Sequence, residues 1–212
     1  MSGQNKLKGT FDLLISVLTE NIAGDITELG CYNGNTSIMI QKLLEHFKSA
    51  KEFHVYDSFE GLPELSNQDK GTTFAKGSCS TTKDNFIRNF SSLKVKLPFI
   101  HQGWFEATLE KELPDKVCFA YLDGDFYSSI LYSLEMLYPR MPEGGIAVID
   151  DYTAATLPGV KNACDIFFSD KAEKIEFIIY ENQYIAYFKK LISKNIKPQI
   201  TQIKTQSNTN EN

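Results

Sequence analysis

Residues 25–57 read DITELGCYNGNTSIMIQKLLEHFKSAKEFHVYD. DITELG (25–30) is a short β-type run that ends in a glycine turn, TSIMIQKLLEHFKSA (36–50) reads as a helix with Asn35 or Thr36 near its N-cap, and EFHVYD (52–57) is a second strand. The same alternation continues on both sides. FDLLISVLTENI (11–22) repeats apolar residues at three- and four-residue steps and predicts a helix. Downstream come a long glycine- and proline-bearing loop (58–80), a helix (81–93), a strand (98–103), a buried strand (116–123), a helix (128–141), a strand (144–151) and a helix (158–171) with Pro158 in its first turn. KIEFIIYENQYIAYFKK (174–190) splits at Glu181-Asn182 into an antiparallel hairpin. Strands that alternate with helices imply an α/β fold: a mostly parallel sheet covered on both faces, with the hairpin strand near one edge.

The 212 residues, 42% of them hydrophobic, suit one globular domain over 1–190, with 191–212 expected to be a disordered tail rich in Gln, Asn, Thr and Lys. A net charge of −5 argues against a polyanion such as nucleic acid as partner. The cysteines Cys31, Cys79, Cys118 and Cys164 show no metal spacing, and three of them lie in or beside apolar stretches, as small buried thiols do. The first residues hold no signal-peptide core, and no apolar run approaches the roughly 18 residues of a membrane span. A soluble, reducing, cytoplasmic setting without membrane attachment is expected.

In such a sheet, ligands bind beyond the carboxyl ends of the strands. The first strand ends ELGCYNGNTS, where Gly30 and Gly34 allow a ligand close to the backbone, although the pattern is not GxGxxG. The second ends VYDSFEGLP, and Asp57 either accepts the hydroxyls of a ribose, as an acid does at this place, or serves as an N-cap or turn aspartate. The third leads into HQGWFEATL, whose Trp104 either flanks an adenine or caps the core, and whose His101 reads as structural. The fourth ends YLDGDFYSS and the fifth AVIDDYTA. Asp123, Asp125, Asp150 and Asp151 therefore converge without a basic residue in either motif, an arrangement in which one or more must protonate or a cation must be present. Oxygen-only ligands suit a hard ion, with Mg²⁺ the default.

In this order, ELGCYNGNTS, VYDSFEGLP, GWFEATL, YLDGDFYSS and VIDDY resemble the macrocin O-methyltransferase family, S-adenosylmethionine- and Mg²⁺-dependent enzymes that methylate sugar hydroxyls on natural products. The resemblance runs from about residue 25 to 152. It implies a Rossmann-like class I methyltransferase fold, with a seven-stranded sheet, an antiparallel C-terminal hairpin strand and helices on both faces. It places Glu28, Gly30, Tyr32, Gly34 and Thr36 at the methionine end of the cofactor, Asp57 and Ser58 at the ribose, and Trp104 and Phe105 near the adenine. It sets Asp123, Asp150 and Asp151 on Mg²⁺, with Asp123 also beside the cofactor, and Asp125 as general base. Catechol-type relatives carry a lysine three residues after the first metal aspartate; that position here is Phe126, which leaves Asp125 for the proton. Two departures stand out. Only about 24 residues precede the first strand, so 1–24 is expected to form a helix and a partial lid, and Asn33 replaces a frequent basic residue.

The reaction implied is in-line methyl transfer to a sugar hydroxyl, made nucleophilic by coordination of neighbouring hydroxyls to Mg²⁺. The acceptor would be a small molecule or glycan with vicinal hydroxyls, held by loops 58–80 and 152–157 and by the N-terminal segment. Family analogy adds a homo-oligomer. Two other classes remain open: a metal-dependent glycosyltransferase that uses the DxD pair, and a nucleoside-binding module without catalysis. Dehalogenase-type phosphohydrolases fit less well, since their DxD lies on the first strand.

Overall fold

The computed structural model describes residues 3–180 and 183–191, and side chains from residue 7 onward within that span. The expected tail and the hairpin turn at Glu181-Asn182 lie outside the described residues. The elements in chain order are α1 (Gly3–Thr19), β1 (Asp25–Leu29), α2 (Asn35–His46), β2 (Phe53–Asp57), α3 (Lys83–Ser92), β3 (Phe99–Gln102), α4 (Phe105–Glu112), β4 (Val117–Leu122), α5 (Tyr127–Leu137), β5 (Ile146–Ile149), α6 (Pro158–Phe167), β6 (Glu176–Tyr180) and β7 (Gln183–Lys189). The seven strands form one sheet in the order β3-β2-β1-β4-β5-β7-β6. β7 pairs antiparallel with both β5 and β6, and the other pairings are parallel.

Side-chain alternation along the strands builds two cores. One face carries Tyr56, Ala120, Leu122, Ala147 and Ile149 against α4, α5 and α6. The other carries Ile26, Val55, Tyr121 and Val148 against α1, α2 and α3. All six residues of β4 are buried, as a central parallel strand covered on both faces requires.

The structure sharpens several boundaries. α1 begins at Gly3, well before the predicted start at residue 11, and stops at Thr19, where Asn21 turns left-handed at φ 51°. It packs Leu13, Leu14 and Val17 into the sheet core. The N-cap of α2 is Gly34, at φ 81°, and Asn35 is the first helical residue. A Cβ on Gly34 would meet Phe86 at 2.7 Å, so the turn packs against α3. α4 was not anticipated. It is short, and its amphipathic pattern is masked by the Trp-Phe pair that opens it. No helix among the described residues is long and apolar enough to cross a membrane.

Candidate active site

The chain runs outward from β1 through β2 to β3, then returns beside β1 as β4 and continues to β5. The gap between β1 and β4 is therefore the switch point at which ligands enter such a sheet. At its mouth Gly30 turns at φ 89°, and a Cβ there would lie 2.0 Å from the carbonyl oxygen of Asp123. Only glycine lets the β1 exit touch the backbone that carries the first aspartate of the DGD motif.

Asp57, at the end of β2, folds its carboxylate back over this turn. Oδ2 accepts the N–H groups of Cys31 and Tyr32, each at 2.8 Å, and Oδ1 accepts that of Phe59 at 2.7 Å. The glycine turn is thus tied to the next strand end by three charge-assisted bonds. Tyr32 and Phe59, two of the residues held, sit at φ 44° and 59°, backbone that bulky residues rarely adopt.

A cavity of about 280 Å³ opens over these ends. Ten of the expected site residues line it: Gly30, Tyr32, Asp57, Ser58, Trp104, Phe105, Asp123, Asp125, Asp150 and Asp151. Three others stand back from it. Glu28 is 1% exposed and accepts the Ser37 hydroxyl beneath the turn, Gly34 caps α2, and Thr36 lies in the first turn of that helix. Burial pushes the Glu28 carboxyl up to about 8, despite the Ser37 bond. Loop 58–80 adds Gly61, Leu62, Pro63 and Cys79 to the wall, and Glu106 of α4 adds another carboxylate.

Six lining residues are acidic and none is Lys, Arg or His. The field is felt by neighbours. Burial first, then Asp125, Asp123 and Asp57, push the Cys79 thiol up, and burial with Asp150 and Asp123 does the same to the Tyr121 hydroxyl. Carboxylate oxygens of Asp123, Asp125 and Asp151 lie within 4.8 Å of one another. Asp150 stands beside this group rather than in it, and its Oδ1 accepts the Asp151 N–H at 3.0 Å. The structure therefore gathers Asp125 with Asp123 and Asp151, where the expected ligand set was Asp123, Asp150 and Asp151.

Backbone strain concentrates here. Of eight described non-glycine residues with positive φ, Asn21, Lys48 and Lys94 follow helix ends, where a left-handed residue is an ordinary stop. The other five, Tyr32, Phe59, Cys79, Asp125 and Asp151, line or adjoin the cavity. Asp125, at φ 58°, is the centre of a three-residue turn closed by Phe126 N–H on the Gly124 carbonyl at 2.6 Å. This is the rarer γ-turn, and it fixes where the carboxylate points.

Asp69 is a supporting residue, outside the cavity wall, that sequence reasoning passed over. It is 2% exposed inside loop 58–80. Its Oδ1 accepts the Tyr127 N–H at 2.8 Å, at the start of α5 just past Asp125. Its Oδ2 accepts the Ser66 N–H and hydroxyl at 2.9 and 2.6 Å. The long loop is thereby fastened to the helix that follows the DGD motif. The available signal was SNQD, a capping-box spacing inside a loop. Leu62 and Ser78 close the base of the same loop with an N–H to carbonyl bond of 2.8 Å.

The chain is 31% identical over 162 residues to 8-demethyl-8-(2,3-dimethoxy-alpha-L-rhamnosyl)-tetracenomycin-C 4'-O-methyltransferase of Streptomyces olivaceus, covering 72% of this chain and 62% of that protein. It is 28% identical over 175 residues to demethyldecarbamoylnovobiocin O-methyltransferase of Streptomyces niveus, covering 78% and 66%. The chain thus spans less than two thirds of the length of these relatives. Among solved structures, the O-methyltransferase NovP superposes with a TM-score of 0.79 at 25% identity, over 90% of this chain and 81% of that one. The calicheamicin methyltransferase CalS11 shares the fold, with a TM-score of 0.74 at 18% identity over 86% of this chain and 77% of that one. Residues 1–190 match the family model described as Macrocin-O-methyltransferase (TylF), and the chain belongs to that family.

Proposed function

We propose that the chain is an S-adenosylmethionine-dependent O-methyltransferase that acts on a hydroxyl of a sugar or glycosylated metabolite, with Mg²⁺ held by Asp123, Asp150 and Asp151. The observation that carries this reading is the acidic cavity at the β1/β4 switch point, with six carboxylates and no basic side chain on its wall. Such a wall suits a sulfonium cation and a divalent metal, and it suits the phosphate groups of a nucleotide sugar poorly. That contrast, together with the family match, counts against the glycosyltransferase reading. The aspartate cluster counts against a binding module without catalysis. The names of the relatives, which speak of O-methylation and in one case of a rhamnosyl-bearing compound, supply the acceptor class.

The donor set fits a hard cation, because only carboxylates converge there and two of the three assigned ligands, Asp123 and Asp151, carry oxygens within 4.8 Å of each other. When bound, the ion would lower the pKa of a hydroxyl coordinated to it. The chain's own residues would do the rest. Gly30 gives the cofactor close approach, Asp57 holds the turn and offers its remaining lone pairs to the ribose, and Trp104 and Phe105 flank the adenine side. Asp125 accepts the proton. A base for a metal-held hydroxyl must sit within one oxygen's reach of the cluster, so its closeness to Asp123 and Asp151 serves that role.

The test is a calorimetric titration with S-adenosylhomocysteine and with UDP-sugars, with and without Mg²⁺. It is followed by mass spectrometry of candidate glycosylated acceptors incubated with S-adenosylmethionine. S-adenosylhomocysteine binding and a gain of one methyl group, abolished by EDTA, are expected. Binding of UDP-sugars alone would overturn the reading, and full activity in excess EDTA would remove the metal from it.

A further inference from the structure

At the opposite end of the sheet, three ligand-type side chains meet where β1 and β2 begin. Asp25 opens β1, Glu52 precedes β2 and His54 is the second residue of β2. One ligand atom from each lies within 4.8 Å of the other two. Asp25 and Glu52 are held in place by the backbone, because the Glu52 N–H donates to Asp25 Oδ1 at 2.9 Å and the Ile26 N–H to the Glu52 carbonyl at 3.0 Å.

The imidazole supplies an independent reason to place an ion there. His54 is only 9% exposed, and its Nε2 is buried without a hydrogen-bond partner. The Glu52 carboxylate lies 3.5 Å from that nitrogen but outside hydrogen-bond geometry. The other side of the ring fixes its tautomer. The Glu112 carboxylate can only accept, so His101 donates to it from Nδ1. With the His101 proton on Nδ1, its Nε2 is the acceptor 3.0 Å from His54 Nδ1, and His54 donates from Nδ1. Its Nε2 then carries a lone pair, 3.5 Å from the Glu52 carboxylate and in a cluster that also includes Asp25. A lone pair facing anions is repulsive unless a cation lies between them.

We infer that Asp25, Glu52 and His54 form a second metal site, built for a borderline divalent ion of the Zn²⁺ type and separate from the cavity that would hold Mg²⁺. An imidazole nitrogen with two carboxylates selects such an ion over Mg²⁺. The relay from His54 through His101 to Glu112 is the outer shell that orients a ligating histidine. The site would pin the starts of β1 and β2 and, through His101 on β3, the edge of the sheet. It makes no use of the methyl-transfer reading.

The test is a calorimetric titration of EDTA-stripped full-length protein with ZnCl₂ in a large excess of Mg²⁺, which occupies the acidic cavity, for wild type, Glu52→Gln, His54→Leu, His101→Phe and the double variant Asp123→Asn/Asp151→Asn. Glu52 is solvent-facing, so Glu52→Gln folds even where His54→Leu does not. One Zn²⁺ per chain is expected in wild type and retained in the double variant. It should be lost in Glu52→Gln and His54→Leu, and bound roughly 10-fold more weakly in His101→Phe, whose ring keeps the stack on Tyr56. Equal Zn²⁺ binding by wild type and Glu52→Gln, loss of all binding in the double variant, or no Zn²⁺ binding by wild type would each overturn the inference.

Discussion

Replacing Asp57 with Ala separates two roles that one carboxylate is asked to fill. The cofactor role predicts weaker S-adenosylhomocysteine binding and an unchanged fold. The observed bonds predict that the fold suffers as well. Three N–H groups donate to Asp57, and at about 1.5–3 kcal/mol for each charge-assisted bond the sum would be roughly 5–9 kcal/mol if they were dry and additive. They are neither. Tyr32 is 47% exposed, so water reaches its N–H once the carboxylate is gone. Freeing Tyr32 and Phe59 from φ 44° and 59° also returns about 1–2 kcal/mol per residue. About 3 kcal/mol of lost stability remains. For a domain of this size that lowers Tm by about 6–12 °C. Asp57→Asn should fall between Ala and wild type, because its amide oxygen still accepts from Cys31 and Tyr32 while its NH₂ faces the Phe59 N–H. Differential scanning fluorimetry and urea melts of the ligand-free protein measure this directly. An Asp57→Ala variant that melts with wild type but no longer binds S-adenosylhomocysteine would refute the clamp and leave Asp57 as a ligand contact alone.

Asp125→Asn should bind S-adenosylhomocysteine and Mg²⁺ as wild type does yet lose about 10²–10⁴-fold in turnover, whereas Asp150→Ala should weaken Mg²⁺ binding; calorimetry paired with a methyl-transfer assay would show the reverse pattern if the two exchange roles. Asp69→Ala strands the Tyr127 N–H and should cost about 3 kcal/mol in a urea melt, with KM for the acceptor raised more than KM for the cofactor. Glu28 carries a folded pKa of about 8 against an ordinary 4.5. Between those values the fold holds a proton that the unfolded chain has released, so its contribution is complete below pH 4.5 and is lost as pH rises toward 8, by at most about 1.4 kcal/mol per pH unit. Glu28→Gln, which can still accept from Ser37, should therefore flatten the pH 5–8 stability profile and melt higher than wild type at pH 8.

Much of the site was legible because its residues sit at strand ends, and strand ends are marked locally. The ELG turn, the VYD terminus, LDGD and IDD each close an apolar run with glycine or acid, and parallel alternation carries such ends to one side. What stayed hidden depends on contacts distant in the chain. SNQD looks like any polar loop until its Asp69 reaches across 58 positions to Tyr127. Glu28 reads as a cofactor contact from the motif alone, but strand alternation turns it inward to Ser37, away from the cavity. The histidine relay joins residues 54, 101 and 112 from two strands and the unanticipated helix α4.

The sequence by itself determined the mostly parallel α/β architecture and the presence of acidic clusters at strand ends, because hydrophobic period and turn chemistry are local properties of the chain; the family followed from the resemblance of its motifs. Only the tertiary structure decided which carboxylates share space. Asp123, Asp125 and Asp151 converge because β4 and β5 pair in register and because two left-handed aspartates aim their side chains at one point. Distances between groups on different strands are set by strand pairing and backbone turn, and no linear pattern encodes them.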